Sequence, residues 1–210
     1  MSNCWNCGRA TEPSSGGAVL FCPACKALQP PPSDYFALFG LPVRLSLSAD
    51  KLQQSFYRLS RELHPDRFVR KSEQERGYSL EASSVLNDAW RTLRNPVSRA
   101  EYVLKQNGLD IGEQRSSNVP PELLEEVFEL NMALEEFRGG DESAKPQLEA
   151  ARVNFLGMLT EIDEQLEERF RAWDASHAGE ELAAIRALLN RRKYIQNLLR
   201  EVDALLPAAA

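Results

Sequence analysis

The chain has 210 residues, 43% of them apolar and 8% aromatic, and carries 25 Lys and Arg against 31 Asp and Glu, a net charge of −6 with an isoelectric point near 5.2. The length allows one or two ordinary domains. The acidic balance speaks against general nucleic-acid binding, and the lack of any run of about 18 apolar residues leaves no membrane-spanning helix to expect.

All four cysteines fall in the first 25 residues, as Cys4-Trp5-Asn6-Cys7 and Cys22-Pro23-Ala24-Cys25, with 14 residues between the pairs. Each CxxC turn brings two thiolates onto one cation, and two such turns at this separation close a four-cysteine tetrahedron of the zinc-ribbon kind. Gly8 and the stretch Ser14-Ser15-Gly16-Gly17 suit the tight backbone of a small metal module. Such a module, taken as residues 1–29, is too small to fold on hydrophobic burial, so the metal is expected to supply most of its stability. Ligand softness and availability favour zinc, in a structural role because all four positions are filled by protein. Rubredoxin-type iron uses the same ligands and stays open on spacing. Two disulfides are disfavoured in a reducing cytosol, and a thioredoxin-like motif lacks its βαβ context. The proline run after Gln29, residues 30–33, reads as a stiff extended linker that holds the module off the next domain.

A short apolar segment, Asp34-Tyr35-Phe36-Ala37-Leu38-Phe39-Gly40-Leu41-Pro42, opens that domain. A helix is expected from Asp50 to Leu63, capped by Ser48, with Leu52, Phe56, Leu59 and Leu63 on one apolar face and Lys51, Gln54, Arg58 and Arg61 on a basic one. Pro65 stops it and leaves His64 and Asp66 displayed in a loop. Residues 51–71 hold six Lys or Arg against two acidic residues, a local +4 in an acidic protein, which suits a negative partner. A second helix, Glu75 to Arg94, carries Ala82, Leu86, Ala89 and Leu93 with Trp90 beside them, and stops at Asn95-Pro96.

Two antiparallel helices joined by His64-Pro65-Asp66 resemble the J domain of DnaJ-type co-chaperones over residues 34–107. The resemblance includes Asp34-Tyr35-Phe36, Asp66-Arg67-Phe68, the run from Leu86 to Pro96, and Arg99-Ala100-Glu101-Tyr102. Its wording is closest to the HscB (Jac) subfamily, in which eukaryotic members carry a similar amino-terminal four-cysteine module. The resemblance implies that His64, Pro65, Asp66, Lys51, Arg58 and Arg61 meet a heat shock protein 70 family chaperone (HscA/DnaK type) and stimulate its ATPase. A catalytic centre is not expected, because only His177 accompanies His64 and no P-loop, GxSxG or dinucleotide fingerprint occurs.

After a polar linker, residues 108–119, three long helices with short turns make an antiparallel bundle over 120–207. The first follows Pro120-Pro121 and buries Leu123, Val127, Leu130, Leu134 and Phe137 before Gly139-Gly140. The second carries Leu148, Ala151, Phe155, Leu159, Ile162, Leu166, Phe170 and Trp173 and closes near His177 to Gly179. The third runs from Glu180 to about Leu206 with Leu182, Ile185, Leu189, Leu199 and Val202. Leu124, Phe128 and Met132 repeat outside the first stripe, bordered by Glu125, Glu129 and Glu136. They either widen the core face or form an exposed apolar and acidic patch. The HscB resemblance implies the second, with Leu124, Phe128, Glu129, Met132, Glu136 and Tyr194 binding the iron–sulfur scaffold protein (IscU type). Met132 and Glu125 depart from the side chains common in relatives.

The expected fold is therefore all-α: a helical J domain and a three-helix bundle behind a zinc-ribbon-like module. Charge divides the same way, with +3 over residues 1–119 and −9 over 120–210, so the two parts should recognise different partners. The expected function is an iron–sulfur co-chaperone that brings scaffold to chaperone and promotes cluster transfer, with self-association open. A general folding J-protein is the rival, but no Gly/Phe-rich linker or central cysteine-rich domain follows Tyr102. A nucleic-acid-binding zinc-ribbon regulator would need a longer basic stripe. An amino terminus without an apolar signal core or an Arg-rich presequence favours a bacterial cytoplasm over a mitochondrial matrix.

Overall fold

The computed structural model describes residues 2–11, 18–111 and 123–206. The Ser14–Gly17 stretch, most of the expected 108–119 linker and Pro120-Pro121 lie outside the described residues. Two compact units form, residues 1–103 and 104–210.

The first unit opens with two short hairpins. Strands β1 (Ser2–Asn3) and β2 (Ala10–Thr11) pair antiparallel, and a single bridge joins Phe21 to Leu28. Helix α1 (Tyr35–Phe39) starts at Asp34, whose Oδ1 accepts from the Ala37 N–H at 2.6 Å, and ends at Gly40 in the left-handed region at φ 66°. Helix α2 (Ala49–Leu63) starts as expected at Ser48, whose Oγ accepts from the Lys51 N–H at 3.4 Å. It buries Leu52, Leu59 and Leu63, while half-buried Phe56 stacks on Trp90 at 4.8 Å. Residues Pro65–Phe68 form a 3-10 turn. Helix α3 (Glu73–Arg94) starts two residues before the expected Glu75, because Ser72 rather than a later residue caps it, and buries Ala82, Leu86, Ala89 and Leu93.

Helix α4 (Pro96–Gln106) corrects the reading of Asn95-Pro96 as a stop only. The same pair that ends α3 begins α4. The missing N–H of a proline costs nothing in a first helical turn, and Asn95 Oδ1 accepts from the Ser98 N–H at 3.0 Å. Arg99 on α4 is buried and donates to the Leu45 carbonyl at 2.8 Å and to the Leu93 carbonyl. The Tyr102 ring stacks on Tyr35 at 4.5 Å, and its hydroxyl accepts from the Tyr35 N–H. These contacts fasten α4 to α1, to the loop at Leu45 and to the C-terminal end of α3.

The four-cysteine segment is not held off this domain. The Ala18 N–H donates to the Ala37 carbonyl on α1, and the Leu28 N–H donates to Glu75 Oε1 on α3. The proline run is only three residues long, about 9 Å of extended chain, too short to separate segments whose flanks pack together.

The second unit holds helices α5 (Leu124–Arg138), α6 (Lys145–Ser176) and α7 (Gly179–Leu205). Helix α6 packs on both α5 and α7. Gly140, at φ 94°, follows α5, and His177, at φ 51°, ends α6 with its N–H on the Trp173 carbonyl. The expected stripes are buried at Leu123, Val127, Leu130, Leu134, Leu148, Phe155, Ile162, Leu166, Phe170, Trp173, Leu182, Ile185, Leu189 and Val202. Phe137, Ala151, Leu159 and Leu199 are only half-buried. On α7 the buried line continues through Ile195, Leu198 and Val202, and half-buried Arg192 pairs with Asp163 of α6 at 2.6 and 3.2 Å.

Candidate functional site

The two CxxC segments fold as near copies. In the first, the Cys4 N–H donates to the Arg9 carbonyl and the Gly8 N–H to the Cys4 carbonyl; in the second, Cys22 bonds Ala27 and Lys26 bonds Cys22 in the same way. Gly8 and Lys26 occupy the same place in the two turns, and both are left-handed, at φ 71° and 62°. This geometry turns all four sulfurs toward one point, each within 4.8 Å of the others. Cys4 Sγ lies 3.6 Å from Cys25 Sγ and Cys7 Sγ 3.8 Å from Cys22 Sγ. Metal–sulfur bonds of about 2.3 Å in a tetrahedron place sulfurs about 3.8 Å apart, so the set fits a single ion.

The sulfurs also differ in acidity. Burial opposes the Cys4 thiolate, but the amides of Cys7 and Asn6 outweigh it and bring that thiol down to about 6. The Arg9 amide favours the Cys7 thiolate, yet desolvation and the neighbouring sulfurs push it up to about 11. The Ala27 amide, against some desolvation, lowers Cys25. A cluster that acidifies some of its thiols while resisting a further negative charge is suited to a cation. Gln29 Nε2 donates to Cys4 Sγ at 3.4 Å and Asn6 Nδ2 to Cys25 Sγ at 3.6 Å, supporting the ligands from outside.

His64 and Asp66 sit where α2 gives way to the 3-10 turn, with side chains 56% and 86% exposed. Asp66 donates its N–H to His64 Nδ1 at 3.3 Å, and Asp66 Oδ2 lies 3.5 Å from the same nitrogen. The preceding Leu63 carbonyl receives the Ser79 hydroxyl at 2.6 Å and the Ser83 hydroxyl at 3.3 Å, both from α3. A helix-end carbonyl is thereby satisfied and the loop is held at its root. Lys51, Arg58 and Arg61 are exposed on α2. Arg58 pairs with Glu62 at 3.2 Å and Arg61 donates to the Tyr57 carbonyl. Lys51, thirteen residues before His64, is about 20 Å away along the helix.

In the bundle unit, Leu124, Phe128 and Met132 are 55%, 65% and 49% exposed on the outer face of α5. Glu129 and Glu136 line a groove of about 440 Å³ with Met132, Glu126 and residues of α6. Tyr194 is placed elsewhere. It is 6% exposed and lines a separate groove with Val127, Asn131 and Glu201, between α5 and α7. Burial, with the Glu201 charge beside it, raises its hydroxyl above the usual tyrosine value. Tyr194 is thus largely buried rather than exposed beside Phe128, although its groove is lined in part by the helix that carries Phe128.

Residues that sequence reasoning passed over complete the loop's setting. Ser79 and Ser83 interrupt the apolar stripe of α3 at i and i+4, the one signal that they serve a partner. Glu75 stands three residues after Ser72, a capping-box spacing, although its Oε1 accepts from Leu28 rather than from the Ser72 amide.

Residues 3–29 match the Co-chaperone HscB tetracysteine metal binding motif, and residues 119–203 match the HSCB C-terminal oligomerisation domain. The iron–sulfur cluster co-chaperone protein HscB of Mus musculus is 32% identical over 201 residues, 95% of this chain and 80% of that protein. The co-chaperone protein HscB homolog of Vibrio vulnificus strain YJ016 is 40% identical over 140 residues, 64% of this chain and 81% of that one. The crystal structure of human co-chaperone protein HscB superposes with a TM-score of 0.70 at 27% identity, covering 99% of this chain and all of the other. Hairpin, displayed loop, helical bundle and cysteine module together define a J-domain co-chaperone with an amino-terminal metal-binding motif. The chain belongs to the HscB family of iron–sulfur cluster co-chaperones, which are not catalytic enzymes. Among the described residues no helix is long and apolar enough to cross a membrane.

Proposed function

We propose that this chain binds an iron–sulfur scaffold protein through its bundle and delivers it to a heat shock protein 70 family chaperone, stimulating that partner's ATPase so that the cluster moves on to acceptors. His64, Pro65 and Asp66 make the chaperone contact, and Lys51, Arg58 and Arg61 steer the encounter. Leu124, Phe128 and Met132 form the apolar part of the scaffold surface, with Glu129 and Glu136 at its acidic margin. Cys4, Cys7, Cys22 and Cys25 hold one structural zinc. The working division is residues 1–29 for metal, 34–107 for the chaperone and 120–207 for the scaffold, in a bacterial cytoplasm.

One observation carries the reading. Three consecutive turns of α5 expose a large apolar side chain while the opposite face is buried, a surface that favours a protein partner. Titrating the scaffold onto the chain and onto Phe128→Ala tests it. A fall in affinity of about thirtyfold supports the surface, and equal affinity removes it.

A further inference from the structure

We propose that Glu75 is a positioning residue through which metal in the four-cysteine module fixes the His64-Pro65-Asp66 loop. The proposal's functional meaning rests on that loop being the chaperone contact.

The path is continuous. Trp5 lies inside the first CxxC turn, and Leu28 follows the second by three residues. Trp5 Nε1 donates to the Leu28 carbonyl at 2.7 Å, and the Trp5 ring meets Tyr78 edge-on at 6.0 Å. The Leu28 N–H donates to Glu75 Oε1 at 3.5 Å, while Glu75 Oε2 accepts from the Ser72 hydroxyl at 3.2 Å. Both main-chain groups of fully buried Leu28 are thus committed, one to the module's own Trp5 and one to α3. One turn further along α3, the Ser79 hydroxyl holds the Leu63 carbonyl beside His64.

Glu75 is 8% exposed. A carboxylate buried to that degree must keep its donors or reach water. The module has two-residue strands and little core, so without metal it loses the fold that presents Leu28 and Trp5. Glu75 then loses the Leu28 donor and turns outward, the Ser72 cap loosens, and the first turns of α3 fray toward Ser79. The loop loses its hold at the Leu63 carbonyl without any change in its own sequence.

Amide hydrogen exchange on the full chain, zinc-loaded and after chelation, tests this without reference to any chaperone. Metal removal should speed exchange about tenfold at Asp66, Arg67 and residues 75–79, and leave residues 100–104 unchanged. In Glu75→Ala, with its zinc content verified, the ratio between the two states should fall close to one. Glu75→Gln, whose amide oxygen can still accept from Leu28, should restore most of it. A residue that merely stabilised α3 would raise both rates and leave the ratio alone. If Glu75→Ala does not fold, Trp5→Phe, which removes the donor to Leu28 together with part of the ring that meets Tyr78, should lower the ratio instead. Identical exchange at Asp66 and Arg67 with and without metal in the wild type overturns the proposal, as does a full ratio in Glu75→Ala. Failure of the wild type to stimulate a chaperone would remove the functional reading of the loop and leave the exchange coupling standing.

Discussion

Phe128 and Tyr194 are two aromatics that the family resemblance assigns to one partner and that the fold places in opposite environments. A fully buried aromatic hides about 200 Å². At 65% exposure, Phe128 withdraws roughly 70 Å² from water, worth about 1.7 kcal/mol at ~25 cal/mol per Å². Residual burial in the unfolded chain and the better helix propensity of alanine reduce the loss in Phe128→Ala to about 1 kcal/mol or less. Tyr194, 6% exposed, hides nearly all its surface, so Tyr194→Ala should cost about 3–5 kcal/mol. In a unit of this size each kcal/mol moves the melting temperature by about 4–8 °C, which gives a fall of about 8 °C at most for the first variant and more than about 12 °C for the second. Calorimetry and scaffold titration on the same preparations separate the roles. Phe128→Ala should melt close to wild type and bind scaffold about thirtyfold more weakly. Tyr194→Phe, which keeps the ring, should melt and bind scaffold like wild type. A large fall in melting temperature for Phe128→Ala together with unaltered scaffold affinity would refute the assignment of Phe128 to an exposed binding face.

Cys22→Ser should release the metal and unfold residues 2–29 while circular dichroism keeps most of its helical signal, and full retention of metal in elemental analysis would contradict the site. Gly8→Ala forces a side chain into φ 71° and should weaken zinc affinity about fivefold, equivalent to about 1 kcal/mol, in a competitive chelator titration. Metal affinity should weaken as pH falls, because each thiol must give up its proton to bind and acid returns it; loading indifferent to pH in a chelator titration would contradict the site. Ser79→Ala removes a 2.6 Å hydrogen bond to a helix-end carbonyl and should cost about 1–2 kcal/mol in denaturant unfolding.

What the sequence made legible was what repeats or punctuates. The helices could be read because Leu52, Leu59 and Leu63, or Val127, Leu130 and Leu134, recur at helical spacing, and because Ser48, Pro65 and Gly139-Gly140 mark ends by backbone chemistry. The metal centre was legible because four thiolates at CxxC spacing have few other uses. Helix α4 was missed because Pro96 both stops and starts a helix, and only the Asn95 cap tells which. The docking of the module on α3 was hidden because it depends on Leu28, Trp5 and Glu75, which are far apart in the chain and form no motif. The burial of Tyr194 was not legible because helical spacing drifts over the 27 residues of α7.

The steady-state ATPase rate of the cognate heat shock protein 70 family chaperone, measured with this chain in the presence and absence of scaffold, tests the central claim most directly. The chain alone should raise the rate and scaffold should raise it further; His64→Gln should abolish both effects while retaining helicity and scaffold affinity, and Phe128→Ala should lose only the scaffold-dependent part. Wild-type stimulation by His64→Gln, or a rate indifferent to scaffold, would contradict the account.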